Sequence, residues 1–398
     1  MENLSSYHRI GIIGGGIGGL TTAIALQQSG LKATVFESVP HIKPVGAGIL
    51  LAGNAGQVYQ QLGLFGQLSA RGTAIEELQL TDTSLQPFRR GVREEDLPGF
   101  PSTLGIHRGA LQEELIQSLE PDSLQLGKRL RFLKEEDAGL RLIFEDGTEQ
   151  EVDLLIGADG IHSVVRDLMG WDRGLRDARQ ACWRGVVPLL KKDGVQPVFR
   201  EAWGANVRFG FGPIGEGQLY WFLVAGYDRV GKDDLAQEEL AGLVAGFHPL
   251  VSSLLLRTDE QAILRNDLFD LHPPVQWHSR RVVLLGDAAH ATTPNMGQGA
   301  CQSIEDAWVL ANCLLRQPNV SGLEQYEELR RKKALGVIRQ SWRIGQMAHW
   351  SSRPARFLRN SLMRSLPKSQ MIRHLRALYS IPEFSPVTSG GAGSQLTV

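Results

Sequence analysis

Cysteine is scarce: Cys182, Cys301 and Cys313 are the only three in 398 residues. No CxxC pair or Cys/His ligand spacing occurs, which excludes a dithiol redox motif, a structural zinc site and a disulfide framework; no metal is expected. Net charge is nearly absent. Lys+Arg number 42 and Asp+Glu 43, for a formal −1, so a nucleic acid is not an expected partner. No uncharged apolar run approaches the ~18 residues of a spanning helix. The N-terminus has no basic stretch followed by an apolar run, as a secretory signal would. A soluble, cytoplasmic protein is expected, monomeric or homodimeric. There is no internal repeat, and no Ser/His/Asp arrangement is evident.

Glycine is plentiful, with 45 in the chain, and three segments combine it with acidic residues. The first is Gly14-Gly15-Gly16-Ile17-Gly18-Gly19, with Glu37 beyond it. An apolar strand, Arg9 to Gly14, precedes it. A helix, Leu20 to Gln28, follows, and then a second strand, Lys32 to Glu37. In this βαβ setting Gly14 makes the tight turn, Gly16 lets backbone approach a pyrophosphate, and Gly19 permits close helix–strand packing. The helix N-terminus faces the phosphates. Glu37 ends the second strand where a carboxylate accepts from ribose hydroxyls and repels a 2′-phosphate. Gly210, Gly212 and Gly215 repeat the spacing, but Pro213 intervenes and a strand follows, so that copy reads as a hairpin turn.

The second segment is Gly157-Ala158-Asp159-Gly160 with Arg166; the third is Gly286-Asp287, continuing through Pro294, Gly297, Gln298 and Gly299. Each follows a buried-strand pattern (Val152 to Ile156 and Arg281 to Leu285), and a helix is expected from Gly297 to Leu315. Strand patterns at Val186–Leu190, Val207–Phe211 and Leu219–Val224 belong to a different sheet, followed by helical sequence near Asp234–Phe247.

These three segments, in this order, resemble the single-component FAD-dependent aromatic hydroxylases over roughly residues 8 to 345. The closer likeness is to the urate hydroxylase, salicylate hydroxylase, zeaxanthin epoxidase and tetracycline-inactivating monooxygenase branch. The resemblance implies an α/β protein with a glutathione-reductase-like FAD-binding Rossmann fold, an inserted mixed β-sheet substrate domain and C-terminal helices. The FAD-binding parts are expected at 8–80, 100–176 and 276–322, the substrate parts at 81–99 and 177–275. Helices capping the FAD domain are expected over 323–384, with contact to a membrane or partner through Trp342, Trp350, Phe357, Arg356 and Arg359 as the alternative, and an unstructured tail over 385–398.

The resemblance also implies the activity: NADH or NADPH reduces a tightly held, non-covalent FAD, O₂ adds to the flavin C4a carbon, and the hydroperoxide oxygenates an aromatic, heteroaromatic or polyene small molecule. The reductant has no Rossmann domain of its own. A halogenase or reductase on the same scaffold, or a silent flavoprotein binding subunit, are the alternatives; the halogenase Trp-x-Trp-x-Ile-Pro signature is absent.

Residues carried over as FAD contacts are Gly14, Gly16, Ile17, Gly19, Glu37, Ser38, Gly48, Arg108, Asp159, Asp287, Pro294, Gly297, Gln298 and Gly299. Asp287 is read as a ribityl ligand or as an N-cap aspartate, and Arg108 as a FAD contact or a helix-surface ion pair. Asp159 is read as orienting the backbone near the pyrophosphate or as a turn residue. Gly46-Ala47-Gly48-Ile49 resembles a mobile loop beside the flavin. Arg208 and Tyr220 are the candidates for substrate positioning, with an ion pair and a core role as their respective alternatives. Tyr220 and Trp221 cannot both face the cavity. His290 is expected to pack against its loop and bond backbone, and Cys301 to be core.

Overall fold

The computed structural model describes residues 7–42, 47–137, 139–232 and 234–385. The expected tail from 386 onward and Gly46 of the expected loop lie outside the described residues.

Five short strands form a parallel sheet in the order Val282–Leu284, Leu154–Gly157, Ile10–Ile13, Ala33–Phe36 and Leu124–Gln125. All four residues of Ile10–Ile13 and of Leu154–Gly157 are buried, the pattern of parallel strands covered on both faces. One cover is the helix Ile17–Gln28, itself packed on the long helix Gly299–Arg316. Because the strands run parallel, their C-terminal ends gather at one edge. The three glycine segments leave the sheet there, from adjacent strands.

A seven-stranded mixed sheet forms a platform in the order Leu264–Leu271, Leu175–Pro188, Gln218–Gly226, Val207–Pro213, Val198–Trp203, Glu77–Thr81 and Val92–Arg93. Its longest strand, Leu175–Pro188, begins well before the expected Val186 and contains residues 176 and 177. Glu77–Thr81 pairs in parallel with Val198–Trp203, so residues 77 to 80 also belong to this sheet. Alternation divides its two faces. Trp183, Phe209, Phe211, Trp221 and Leu223 form an outer core with Leu240, Val251 and Leu254 from the helices Gln237–Leu243 and Pro249–Leu256. Phe209 and Trp221 stack at 5.5 Å, and the Trp221 indole donates to Thr258 Oγ1 at 2.8 Å. Arg184, Arg208, Tyr220 and Phe222 therefore point to the opposite, inner face.

A small antiparallel sheet of Gly48–Leu51, Thr103–His107 and Thr73–Ile75 links platform and parallel sheet. Gly48 is the first residue of a strand rather than part of a loop, paired with His107. Gly210 and Gly212 are strand residues and Gly215, at φ 88°, turns the hairpin, as the sequence implies.

Three helices close the chain: Val320–Ala348, Arg353–Ser365 and Lys368–Tyr379. Only part of this region covers the parallel-sheet side. Lys368–Tyr379 lies on the helix Gly53–Gln61, with Tyr379 against Gly53, whereas Met363 and Arg359 of Arg353–Ser365 pack on Trp203 of the platform. No described helix is long and apolar enough to cross a membrane.

Candidate active site

The first segment is shaped by close approaches. Gly14 adopts φ 109°, and a Cβ there would stand 2.4 Å from the Ala158 carbonyl oxygen of the second segment. A Cβ on Gly19 would meet the Gly14 oxygen at 2.0 Å. Gly16 differs: a Cβ there would meet nothing within 4 Å. Gly14 and Gly19 are thus demanded by the protein's own packing, whereas Gly16 borders open space. Gly16 is also the N-cap of Ile17–Gln28 and supplies no side-chain cap, leaving first-turn N–H groups directed outward. The Ile17 side chain is core, so only its backbone is available there.

Glu37 closes this corner. Its carboxylate accepts from Gly15 N at 2.6 Å, and from Ser38 Oγ and Val39 N at 3.0 and 2.9 Å. Gln112, on the helix Arg108–Gln117, donates to Gly15 O at 2.9 Å and holds the turn from the other side.

In the second segment the Asp159 carboxylate is engaged internally. It accepts from Ser163 Oγ at 2.5 Å and Val165 N at 3.1 Å, bracing the short helix Val164–Leu168. Burial raises its pKa against these bonds. Any influence of Asp159 on a pyrophosphate passes through the backbone it fixes. Arg166, 3% exposed, donates to Ile161 O at 2.8 Å and to Ala288 O at 3.0 Å, joining the second and third segments.

The third segment places Asp287 on the wall of a cleft: its side chain is reached by solvent although protein surrounds it. That surrounding protein raises its carboxyl pKa, while the charges of His290 and Arg108 pull it down. Arg108 is the counterpart, exposed to the same space and without a carboxylate partner among the described residues, which removes the surface ion pair as its explanation. Desolvation and Arg184 lower its pKa, and Asp287 and Tyr220 raise it. Asp287, Arg184 and Tyr220 therefore all lie within electrostatic reach of Arg108.

Pro294 and Gly297 are exposed, and Gly297 sits at φ 60° with room for a Cβ. The long helix begins at Gly299, not Gly297, because Pro294–Met296 forms a separate 3-10 turn that Gly297 ends. Gln298 is corrected: its side chain is 2% exposed and points inward, accepting from Gln302 at 2.9 Å and Asn54 at 3.3 Å.

Behind this loop lies a buried charge network that the motifs did not reveal. Asp306 accepts from Gly286 N at 3.0 Å, His290 Nε2 at 2.5 Å and Arg330 Nε at 2.7 Å. Glu305 takes Arg330, Lys333 at 2.8 Å and Asn54 at 3.0 Å. His290 accordingly bonds a carboxylate, not backbone, and packs on Trp277 at 5.2 Å. Desolvation opposes the Asp306 charge, yet His290 and Arg330 hold its pKa down at about 2. The available signal was Glu305-Asp306 between Ile304 and Trp308 in an apolar helix, where acids require buried partners. Cys301 is core, as expected.

On the platform's inner face, Tyr220 lies against Gly48, whose Cβ would stand 2.4 Å from Tyr220 Cγ. Tyr220 also packs with Ala47, Ile75 and Phe199 and is 9% exposed, so it is a wall residue; burial pushes its phenol far above the ordinary value. Arg208, 2% exposed, is paired with Glu201 Oε1 at 3.0 Å and bonds Asn295 of the Pro294–Met296 turn. The expected pairing of Arg208 with a substrate anion is corrected accordingly: its charge is already matched by Glu201. Its Nε, and that of Arg184, are buried with no partner among the described residues.

These features suit FAD. Gly16 borders open space at the N-terminus of Ile17–Gln28, Glu37 closes the same corner, and Arg108 and Asp287 present an exposed donor and acceptor. The comparisons agree. The FAD binding domain family matches residues 7–341. Aurachin C monooxygenase/isomerase of Stigmatella aurantiaca is 38% identical over 368 residues, covering 90% of this chain and 94% of that one. The 2-heptyl-3-hydroxy-4(1H)-quinolone synthase of Pseudomonas aeruginosa is 30% identical over 390 residues, 94% of this chain and 98% of its own. The crystal structure of Klebsiella pneumoniae HpxO complexed with FAD and uric acid superposes with a TM-score of 0.85 at 27% identity, covering 95% of this chain and 98% of that one. The chain belongs to the FAD binding domain family, among the single-component FAD-dependent aromatic hydroxylases, and is an NAD(P)H-dependent flavin monooxygenase.

Proposed function

We propose that the enzyme hydroxylates a bicyclic heteroaromatic ring bearing a ring carbonyl, of the quinolone kind. The carrying observation is an inner face walled by Tyr220, Phe222 and Phe199 that holds two guanidinium groups, Arg184 and Arg208, whose Nε atoms are buried with no partner among the described residues. Arg184 stands opposite Phe222 and Arg208 opposite Val224, one step along the sheet. Buried donors without partners favour a ligand that brings an acceptor, and the aromatic wall favours a flat ring. The quinolone named for one relative and the uric acid bound by one structural neighbour both fit that description.

In this reading Gly14, Gly16, Gly19 and the Ile17 N–H cradle the diphosphate, and Glu37 with Ser38 takes the ribose. Arg108 and Asp287 hold the polyol chain. Pro294, Gly297 and Gly299 border the flavin ring, and Asp159 and Gln298 support their loops from behind. FAD, reduced by NAD(P)H, supplies the activated oxygen when bound. The protein orients the ring carbonyl through the two guanidinium groups, and the Tyr220 and Phe222 wall excludes water. The flavin-holding part comprises 8–76, 100–174 and 276–322 and the substrate part 77–99 and 175–275, the expected borders having moved to the strand starts at Glu77 and Leu175.

The test is NAD(P)H oxidation by FAD-loaded protein with a panel of quinolones, purines, phenols and polyenes under ¹⁸O₂. A quinolone that accelerates the reaction and gains one labelled oxygen supports the proposal. Labelling confined to phenols or polyenes would overturn the substrate class while leaving the monooxygenase intact.

A further inference from the structure

The outer face of the helix Arg353–Ser365 takes no part in the site. Its inner face is pinned. Arg359, 1% exposed, donates to Ala348 O at 2.7 Å and Gly204 O at 3.3 Å, and Met363 packs with Trp203 and Phe88. The helix cannot roll to bury its other side. Phe357 is left 74% exposed, Leu358 62% and Leu362 48%. Leu358 and Leu362 are one turn apart and Phe357 adjoins them, so they form one strip. Trp350 and Leu366 extend it at either end. Single exposed apolar residues are ordinary; a row of them on a fixed helix is not.

Charge provides a second, independent observation. From Leu329 to Pro382 the sequence contains no Asp or Glu, in a chain whose overall charge is −1. Arg353, Arg364, Arg373 and Arg376 are exposed and have no carboxylate partner among the described residues, whereas Lys368 pairs with Asp96 at 2.7 Å. Carboxylates near the strip are Asp177 and Asp228, on the wall of the groove that Trp350 and Leu358 also line; Asp228 already faces Arg179 at 3.5 Å. Apart from Asp177 and Asp228 in that groove, the surface is thus apolar along its middle and cationic at its margins. A second copy would oppose it with the same positive charge. Anionic headgroups above acyl chains complement both features.

We propose that this helix is an interfacial docking element for an anionic lipid bilayer. Phe357, Leu358 and Leu362 enter the acyl boundary, and Arg353 and Arg364 engage headgroup phosphates. The helix lies in the interface plane and does not span it.

Flotation of the full, FAD-loaded chain with vesicles tests this, using phosphatidylglycerol in phosphatidylcholine against phosphatidylcholine alone. Salt-sensitive binding to the anionic vesicles is expected. Phe357→Glu/Leu358→Glu should weaken it by about tenfold or more, with flavin absorbance and far-UV dichroism as in the parent. Arg353→Ala/Arg364→Ala should weaken anionic binding by about fivefold per arginine. Absence of binding to anionic vesicles, or equal binding by the Glu variant, would overturn the proposal. A parent dimer that the Glu variant converts to monomer, without vesicle binding, would also overturn it and assign the face to a second copy.

Discussion

The ring of His290 bonds the carboxylate of Asp306 at 2.5 Å, with both side chains almost fully buried. The same carboxylate holds the Gly286 amide, so the turn carrying Asp287 is fastened to the long helix behind it. Breaking a buried charge network by removing one member costs about 3–5 kcal/mol, because the remaining groups stay desolvated. Asp306→Asn should therefore lower the melting temperature markedly and weaken FAD retention; thermal denaturation with and without added FAD measures both.

The pH dependence follows from the same group. Asp306 has its pKa depressed from the ordinary 3.8 to about 2 by His290 and Arg330, against desolvation. A depressed carboxylate contributes stability that is present above 3.8 and lost as pH falls through about 2. The stability gap between the parent and Asp306→Asn should accordingly be constant near neutrality and shrink in that acid window. Urea titrations across pH check this, and a gap unchanged down to pH 2 would remove the Asp306 charge as its source.

Asp287 is the exposed acceptor of the cleft, so its loss should affect cofactor more than fold. Asp287→Ala is expected to purify largely without flavin, with FAD affinity reduced about 10–100-fold, the worth of hydrogen bonds to a charged group. The ratio of flavin to protein absorbance reads it directly. Full occupancy in this variant would sink the polyol-chain assignment.

Much of this arrangement was legible in the chain. Gly14, Gly16 and Gly19 obey constraints that are local in sequence, a strand, a turn and a helix, and the structure separates their roles by what a Cβ would strike. The inner and outer faces around Tyr220 and Trp221 followed from strand alternation. What the sequence hid was long-range. Arg208 looked available until Glu201, on the neighbouring strand, and Asn295, on the Pro294–Met296 turn, were brought to it. Gln298 lies within a recognised motif, yet its side chain turns inward to Asn54 and Gln302. The start of the strand at Leu175 was obscured because its first residues are half-buried and two of them, Arg176 and Asp177, are charged, with an irregular register between Asp177 and Ala181.

Gly48 and Tyr220 illustrate such a long-range constraint in testable form. With Tyr220 Cγ 2.4 Å from the position of a Gly48 Cβ, Gly48→Ala must displace the ring or the strand. Overpacking of this kind costs about 1–3 kcal/mol. Combining it with Tyr220→Ala should recover part of that loss, since the colliding ring is gone. A double-mutant cycle in chemical denaturation gives the coupling; strictly additive effects would show that the ring moves aside freely.

The two inner-face arginines should behave differently when each is removed. Arg208 neutralises Glu201, and Arg208→Ala leaves that acid without its cation, a cost of about 2 kcal/mol in stability. Arg184 is half-buried and its described side-chain partner is the neutral Asn266, so Arg184→Ala should change stability by less than about 1 kcal/mol. If Arg184 binds the ring carbonyl, its removal should instead raise KM for the quinolone about 10–100-fold, the worth of a charge-assisted hydrogen bond. A kcat that falls while KM holds would place Arg184 in transition-state stabilisation. No change in either would remove Arg184 as a ring-carbonyl contact, and the carbonyl-bearing substrate would lose half of its support.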